Sequence, residues 1–239
     1  MLSFCLESIS RSAFMTHSAL NGIALITYDL DGTLIDSAPD LARAIDDMLV
    51  TLGHPSAGIA HVRHWVGNGS RQLVARALAH AKSVSGHEPD ASEVDHALEL
   101  FMQAYARDLT GQTTCYPGAL ECLRAQRERG IAQALITNKP ARFITPILGA
   151  LGLEEFFIMT LGGDSLPVKK PDPTPLLHIA ERLDIAPSKA LMVGDSKSDV
   201  LAARAAGFRS LAVTYGYNHG EPIAAFEPDH LLDSLEDLV

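Results

Sequence analysis

The stretch LITYDLDGTLIDS, residues 25–37, decides the reading of this chain. An apolar run ends in two aspartates one residue apart, Asp29 and Asp31, followed by Gly32 and Thr33. Carboxylates at the end of a buried strand need a reason, because charge is costly to bury without a partner. In an open parallel sheet the strand ends form the ligand crevice, so the rest of the chain must be searched for such a sheet.

Short runs rich in Ile, Leu and Val recur at 23–29, 131–137, 190–195 and 210–215. Helical periodicity fills the spaces between them, near 117–130, 140–151, 173–184 and 196–206. Strands alternating with helices predict an α/β fold, a Rossmann-like parallel sheet with helices on both faces. The interval 37–112 breaks the alternation, with helical patterns near 37–53, 70–84 and 92–109 and no convincing strand. It reads as an inserted all-helical cap, joined through linkers near 34–37 and 110–117. Ser37 and Asp40 have capping-box spacing at its first helix. Residues 21–36 and 113–239 then form the core. Residues 1–20 lack the basic start and unbroken apolar run of a secretory signal, and read as a poorly ordered extension.

Composition narrows the function. The chain has 239 residues, 47% of them hydrophobic and 20% charged, enough for one core with an insertion. A formal net charge of −10 gives no general attraction to nucleic acid or an anionic membrane. No apolar run is long enough to span a bilayer. Three scattered cysteines, Cys5, Cys115 and Cys122, fit a reducing, cytoplasmic setting. His61 and His64 stand three apart, too few for a zinc site. Trp65 reads as a residue packed inside the cap. The sequence points to no protein partner and to no oligomeric state.

At the predicted strand ends lie Asp29, Asp31, Thr137-Asn138 and Asp195, with Lys170 in a nearby loop. Carboxylates can hold Mg²⁺, a hard cation that prefers oxygen ligands. Lys170, Thr137 and the backbone N–H groups near Gly32 can hold phosphate oxygens. Each piece also has a plain alternative. Asp31-Gly32 can be a turn, Thr137-Asn138 a strand end with a helix cap, Asp199 the acid of a capping box with Ser196, and Lys169 and Lys170 solvated charges. Their order along the chain argues against coincidence.

Together Asp29-Leu30-Asp31-Gly32-Thr33, Thr137, Lys170-Pro171 and Gly194-Asp195 with Asp199 resemble the four motifs of the haloacid dehalogenase-like superfamily. The strings WVGNGS, TNKP and GGDSLPVKKPDPTPLL are similar to those of bacterial phosphoglycolate phosphatases. The resemblance implies a Mg²⁺-dependent phosphatase acting on a small phosphorylated molecule, 2-phosphoglycolate first among candidates, through an aspartyl-phosphate intermediate. Asp29 is then the nucleophile and Asp31 the acid and base. Asp29, the Asp31 carbonyl and Asp195 hold the metal, while Lys170 and Thr137 hold phosphoryl oxygens. Thr33, Asn138 and Asp199 support them.

Three other readings remain on the same fold: a phosphatase for pyrophosphate or a sugar phosphate, a phosphosugar mutase, and a non-catalytic binding module. A dehalogenase has no leaving alkoxide for Asp31 to protonate. A phosphonate hydrolase needs a Schiff-base lysine in the cap, where Lys82 alone occurs, in a stretch that reads as a loop. For the substrate's far end the cap segment Gly67-Asn68-Gly69, with Arg71, is the candidate; it reads equally as a turn beside a solvated arginine.

Overall fold

The computed structural model describes residues 17–83, 86 and 88–239. Its centre is β1 (Leu25–Tyr28), where every residue is buried. Parallel neighbours flank β1 on both sides, β4 (Ala132–Ile136) and β6 (Ala190–Gly194). The sheet continues outward through β5 (Met159–Leu161) on one side, and through β7 (Arg209–Val213) and β8 (His230–Leu232) on the other. The order β5-β4-β1-β6-β7-β8 is parallel at every pairing. The chain thus builds in opposite directions from β1, which makes the crevice at its carboxyl end the ligand position.

Alternate side chains enter opposite faces of the sheet. Leu25, Ala134, Ile136 and Met192 pack with α7 (Thr174–Arg182) and α8 (Lys197–Ala206). Ile26, Tyr28, Leu135, Leu191 and Val193 share the other layer with α5 (Ala119–Glu128) and α6 (Ile144–Leu151). The expected strands and these four helices are present within a few residues. The expectation for the N-terminal extension lies on residues 1–16, outside the described residues, except at its end. There Ser18–Leu20 form a short 3-10 helix, and Ala19 and Leu20 are buried in the core.

Among the described residues, four α-helices lie between two very short strands, β2 (Ile35–Asp36) and β3 (Thr114–Cys115). They are α1 (Ala38–Thr51), α2 (Ile59–Trp65), α3 (Ser70–Lys82) and α4 (Ala91–Arg107). Leu41, Ile45, Met48 and Leu49 of α1 meet Leu73, Val74, Ala77 and Leu78 of α3 and Val94, Ala97 and Phe101 of α4 in one apolar cluster. Spacings of three and four put each set on one helix face. Trp65 is half-buried and sits against the rings of His61 and His80. Lys82 ends α3 instead of lying in a loop, and pairs with Glu93.

β2 and β3 pair antiparallel, joining the two linkers. The capping box expected at Ser37 does not form. Both of its side chains have other partners. Ser37 Oγ donates to Asp31 Oδ1 at 2.5 Å, while buried Asp40 accepts from Gln112 N at 2.9 Å and Thr113 Oγ1 at 2.7 Å. Asp40 therefore ties α1 to the second linker. No described helix is long and apolar enough to cross a membrane.

Candidate active site

β1, β4 and β6 end side by side and carry Asp29, Thr137 and Asp195 into the crevice. Carboxylate oxygens of Asp29, Asp195 and Asp199 all lie within 4.8 Å of one another, and the three residues are buried. Lys170 Nζ stands 3.0 Å from Asp29 Oδ1 and 2.7 Å from Asp199 Oδ1, and donates to the Ile136 carbonyl at 2.6 Å. Burial works against the lysine's charge, but Asp199 and Asp29 outweigh it and raise its pKa. Asp199 serves two purposes. Its Oδ2 accepts from Ser196 N at 3.0 Å and Ser196 Oγ at 2.7 Å, and its Oδ1 faces Lys170. One oxygen thus makes the capping contacts and the other the ion pair.

Asp195 is held on both sides. Thr33 Oγ1 donates to its Oδ1 at 2.8 Å, and the Tyr217 N–H donates to its Oδ2 at 2.5 Å. Gly32, at φ +90°, lies so close that a Cβ there would collide with Asp195 and with the Tyr217 ring. A glycine permits both the turn and the approach.

The buried acids outnumber the one ammonium among them by three to one. Burial pushes the Asp29 carboxyl up to about 6 against the pull of Lys170. Burial likewise pushes Asp195 well above the usual carboxylate range, with Asp29 and Asp199 adding to the effect. All-oxygen donors with excess negative charge fit a hard divalent cation. The sign of the pH effect follows. A folded pKa above the ordinary 3.8 means the native state of the metal-free protein holds more protons than the unfolded chain between about 4 and 6. Stability contributed by Asp29 is then lost as pH rises through that window. Chelator-treated protein should show this loss in urea titrations at successive pH values, and Mg²⁺ should abolish it. An unchanged pH profile on adding Mg²⁺ would count against metal binding here.

Asp31 faces away from that cluster. Lys139 Nζ lies 3.0 Å from its Oδ1 and 3.1 Å from its Oδ2. Lys139 is buried, which disfavours its charge, yet Asp31 and Tyr105 raise its pKa overall. Asp29 and Asp31 nonetheless line one small cavity. Thr137, Asn138, Lys139, Leu41, Val66, Gly67, Ser70 and Tyr105 help to enclose it.

The roof is the cap segment 66–70. Asn138 Nδ2 donates to the Gly67 carbonyl at 3.3 Å and to the Lys170 carbonyl at 3.1 Å. Lys169 Nζ donates to the Asn68 carbonyl at 2.9 Å, and Asn68 Nδ2 to Ser198 Oγ at 3.4 Å. Gly67 and Gly69 therefore border the cavity, but the Asn68 side chain points to Ser198 and Arg76. Arg71 is not among the lining residues; its exposed side chain pairs with Asp95 on α4. The solvated reading of Arg71 is the one its position supports. Gly69 has φ +88°, and a Cβ there would stand 3.1 Å from the Asn138 carbonyl and 2.8 Å from Lys169 Nζ. A side chain at 69 thus obstructs closure itself. Gly69→Val should lower kcat/KM at least tenfold on every substrate, as about 1.4 kcal/mol of lost closure would do; steady-state kinetics on two unlike esters would reveal any selectivity.

The sequence reading passed over Lys139, Ser37 and Tyr105. Lys139 had a signal, standing two residues beyond Thr137 in TNKP. Tyr105 had none, since only the folding of α4 over the crevice brings it there.

Residues 23–207 match the haloacid dehalogenase-like hydrolase family. The chain belongs to that family and is a hydrolase. Within it, the chain is 50% identical over 215 residues to Phosphoglycolate phosphatase 1 of Pseudomonas aeruginosa, covering 90% of this chain and 78% of that protein. Identity and coverage are the same for the phosphoglycolate phosphatase of Pseudomonas putida. A solved structure, described as a predicted phosphoglycolate phosphatase from Haemophilus somnus, superposes with a TM-score of 0.86 at 37% identity, covering 91% of this chain and 96% of that one.

Proposed function

We propose that this enzyme hydrolyses 2-phosphoglycolate to glycolate and phosphate through an aspartyl-phosphate on Asp29. The observation that carries the proposal is the small cavity over Asp29 and Asp31, roofed by cap residues 66–70. The names of its relatives in the two Pseudomonas species support it. Residues 21–36 and 113–239 act as the catalytic core and 37–112 as the cap, in the cytoplasm.

Asp29 attacks phosphorus in line with the ester oxygen. As that P–O bond breaks, Asp31 gives its proton to the departing alkoxide. Asp31 then takes a proton from the water that cleaves the acyl phosphate, freeing Asp29 and inorganic phosphate. Lys170 stabilises charge on the nucleophile and on the phosphoryl oxygens, with Asp199 fixing its position. Thr137, at the end of β4, donates to a phosphoryl oxygen. Asp29, Asp195 and the Asp31 carbonyl would hold Mg²⁺, which would supply charge neutralisation for an anionic substrate.

The test is kcat/KM for 2-phosphoglycolate beside pyrophosphate, glycerol phosphates and hexose phosphates, with Mg²⁺ and with chelator. We expect 2-phosphoglycolate to lead, Mn²⁺ to substitute for Mg²⁺, and chelator to abolish turnover. Ca²⁺ should inhibit, because its larger and looser coordination shell misplaces the reacting groups. A hexose phosphate turned over as efficiently would overturn the substrate assignment.

A further inference from the structure

The phosphoryl machinery leaves one part of the cavity wall without a task. Tyr105, near the end of α4, lines the cavity and is 1% exposed. Its ring stacks on Phe101, centroids 5.7 Å apart, and meets Phe143 edge-on at 5.1 Å. Its hydroxyl is buried, feels the Lys139 ammonium beside it, and forms no hydrogen bond of good geometry among the described residues. A phenylalanine would pack as well and would leave no polar atom unsatisfied. Packing therefore does not account for the hydroxyl.

Two further donors border the same space. Lys139 Nζ sits 4.7 Å from the Tyr105 ring centroid and faces Asp31, and an ammonium has three donors to share. α3 begins at Ser70 behind Gly69, with no side chain capping its first turn. The N–H groups of that turn have no partner within the helix and suit an anion. Gly69 and Ser70 both line the cavity.

Resting on the function proposed above, we infer that Tyr105, Lys139 and the first turn of α3 form the subsite for the substrate's second anionic group, a carboxylate. The Tyr105 hydroxyl donates one hydrogen bond to it, Lys139 supplies the charge, and the Ser70 end of α3 closes over it. Burial keeps the phenol above its ordinary pKa, so it remains a donor. The charge comes from the core, since Arg71 is engaged with Asp95 on the cap surface.

The test compares 2-phosphoglycolate with ethyl phosphate, the same ester with a methyl group in place of the carboxylate. Wild-type enzyme and Tyr105→Phe are measured on both, with Tm recorded for each protein. The ratio of the two kcat/KM values should fall about tenfold in the variant, the effect of losing one hydrogen bond to a charged group. Its Tm should change little, because the removed hydroxyl forms no hydrogen bond of good geometry. An unchanged ratio overturns the subsite, as does an equal loss on both esters with a lowered Tm. A wild-type enzyme that does not prefer 2-phosphoglycolate overturns the substrate assignment instead, and the subsite with it.

Discussion

Asp29→Asn should reduce kcat by more than about a hundredfold, a barrier increase above roughly 2.7 kcal/mol, and leave a folded protein. The amide is a poor nucleophile and a weaker metal ligand. The fold should survive because Lys170 keeps Asp199 at 2.7 Å, so no buried charge is stranded. Removing one member of an acidic cluster also relieves repulsion, since Asp29 and Asp199 both raise the pKa of Asp195. The measurement is kcat on 2-phosphoglycolate at saturating Mg²⁺, with circular dichroism and Tm alongside. Retention of more than a hundredth of the wild-type rate by a well-folded variant would remove Asp29 from the role of nucleophile.

Lys170→Met should do the opposite to the fold. It leaves Asp29, Asp195 and Asp199 buried together with no ammonium among them. Breaking a buried ion pair by removing one partner typically costs about 3–5 kcal/mol. Urea unfolding of the metal-free variant should show a loss of that order, and millimolar Mg²⁺ should restore part of it. Activity should be lost even when Mg²⁺ restores the fold, because the phosphoryl oxygens lack their cation. A variant as stable as wild type without metal would mean that the three acids are not charged together.

The site was legible where chemistry is written in consecutive residues. Asp29 and Asp31, Thr137 and Asp195 each sit at or just beyond a buried apolar run, with Lys170 marked by the Lys-Pro of its loop, and a run at the centre of a parallel sheet is hard to mistake. The edge of the sheet was not legible. β5 and β8 have three residues each and are only partly buried, so neither stands out from its flanking residues as a strand. α2 has seven residues with Val62 alone fully buried, too short to display a period.

Pairings across the fold were equally hidden. Ser37 and Asp40 had the spacing of a cap, but the local bond lost to partners in Asp31 and Thr113 that a linear reading cannot place nearby. Asp199 had the same kind of spacing with Ser196, and there the local bond formed, since its second oxygen remained for Lys170. Side-chain spacing records an opportunity, and tertiary neighbours decide whether it is used.

The pairing of β2 with β3 has a mechanical meaning. Both covalent crossings between core and cap run through one two-stranded ladder, reinforced by Asp40 across the linkers. The attachment has the form of a hinge with one stiff edge. On the roof side, segment 66–70 is fastened by three hydrogen bonds of 3.3, 2.9 and 3.4 Å, from Asn138, Lys169 and Asn68. A clasp of a few such bonds is weaker than a covalent crossing, so any opening of the lid would part these bonds and pivot on the ladder, and substrate and product would then share one way past residues 66–70.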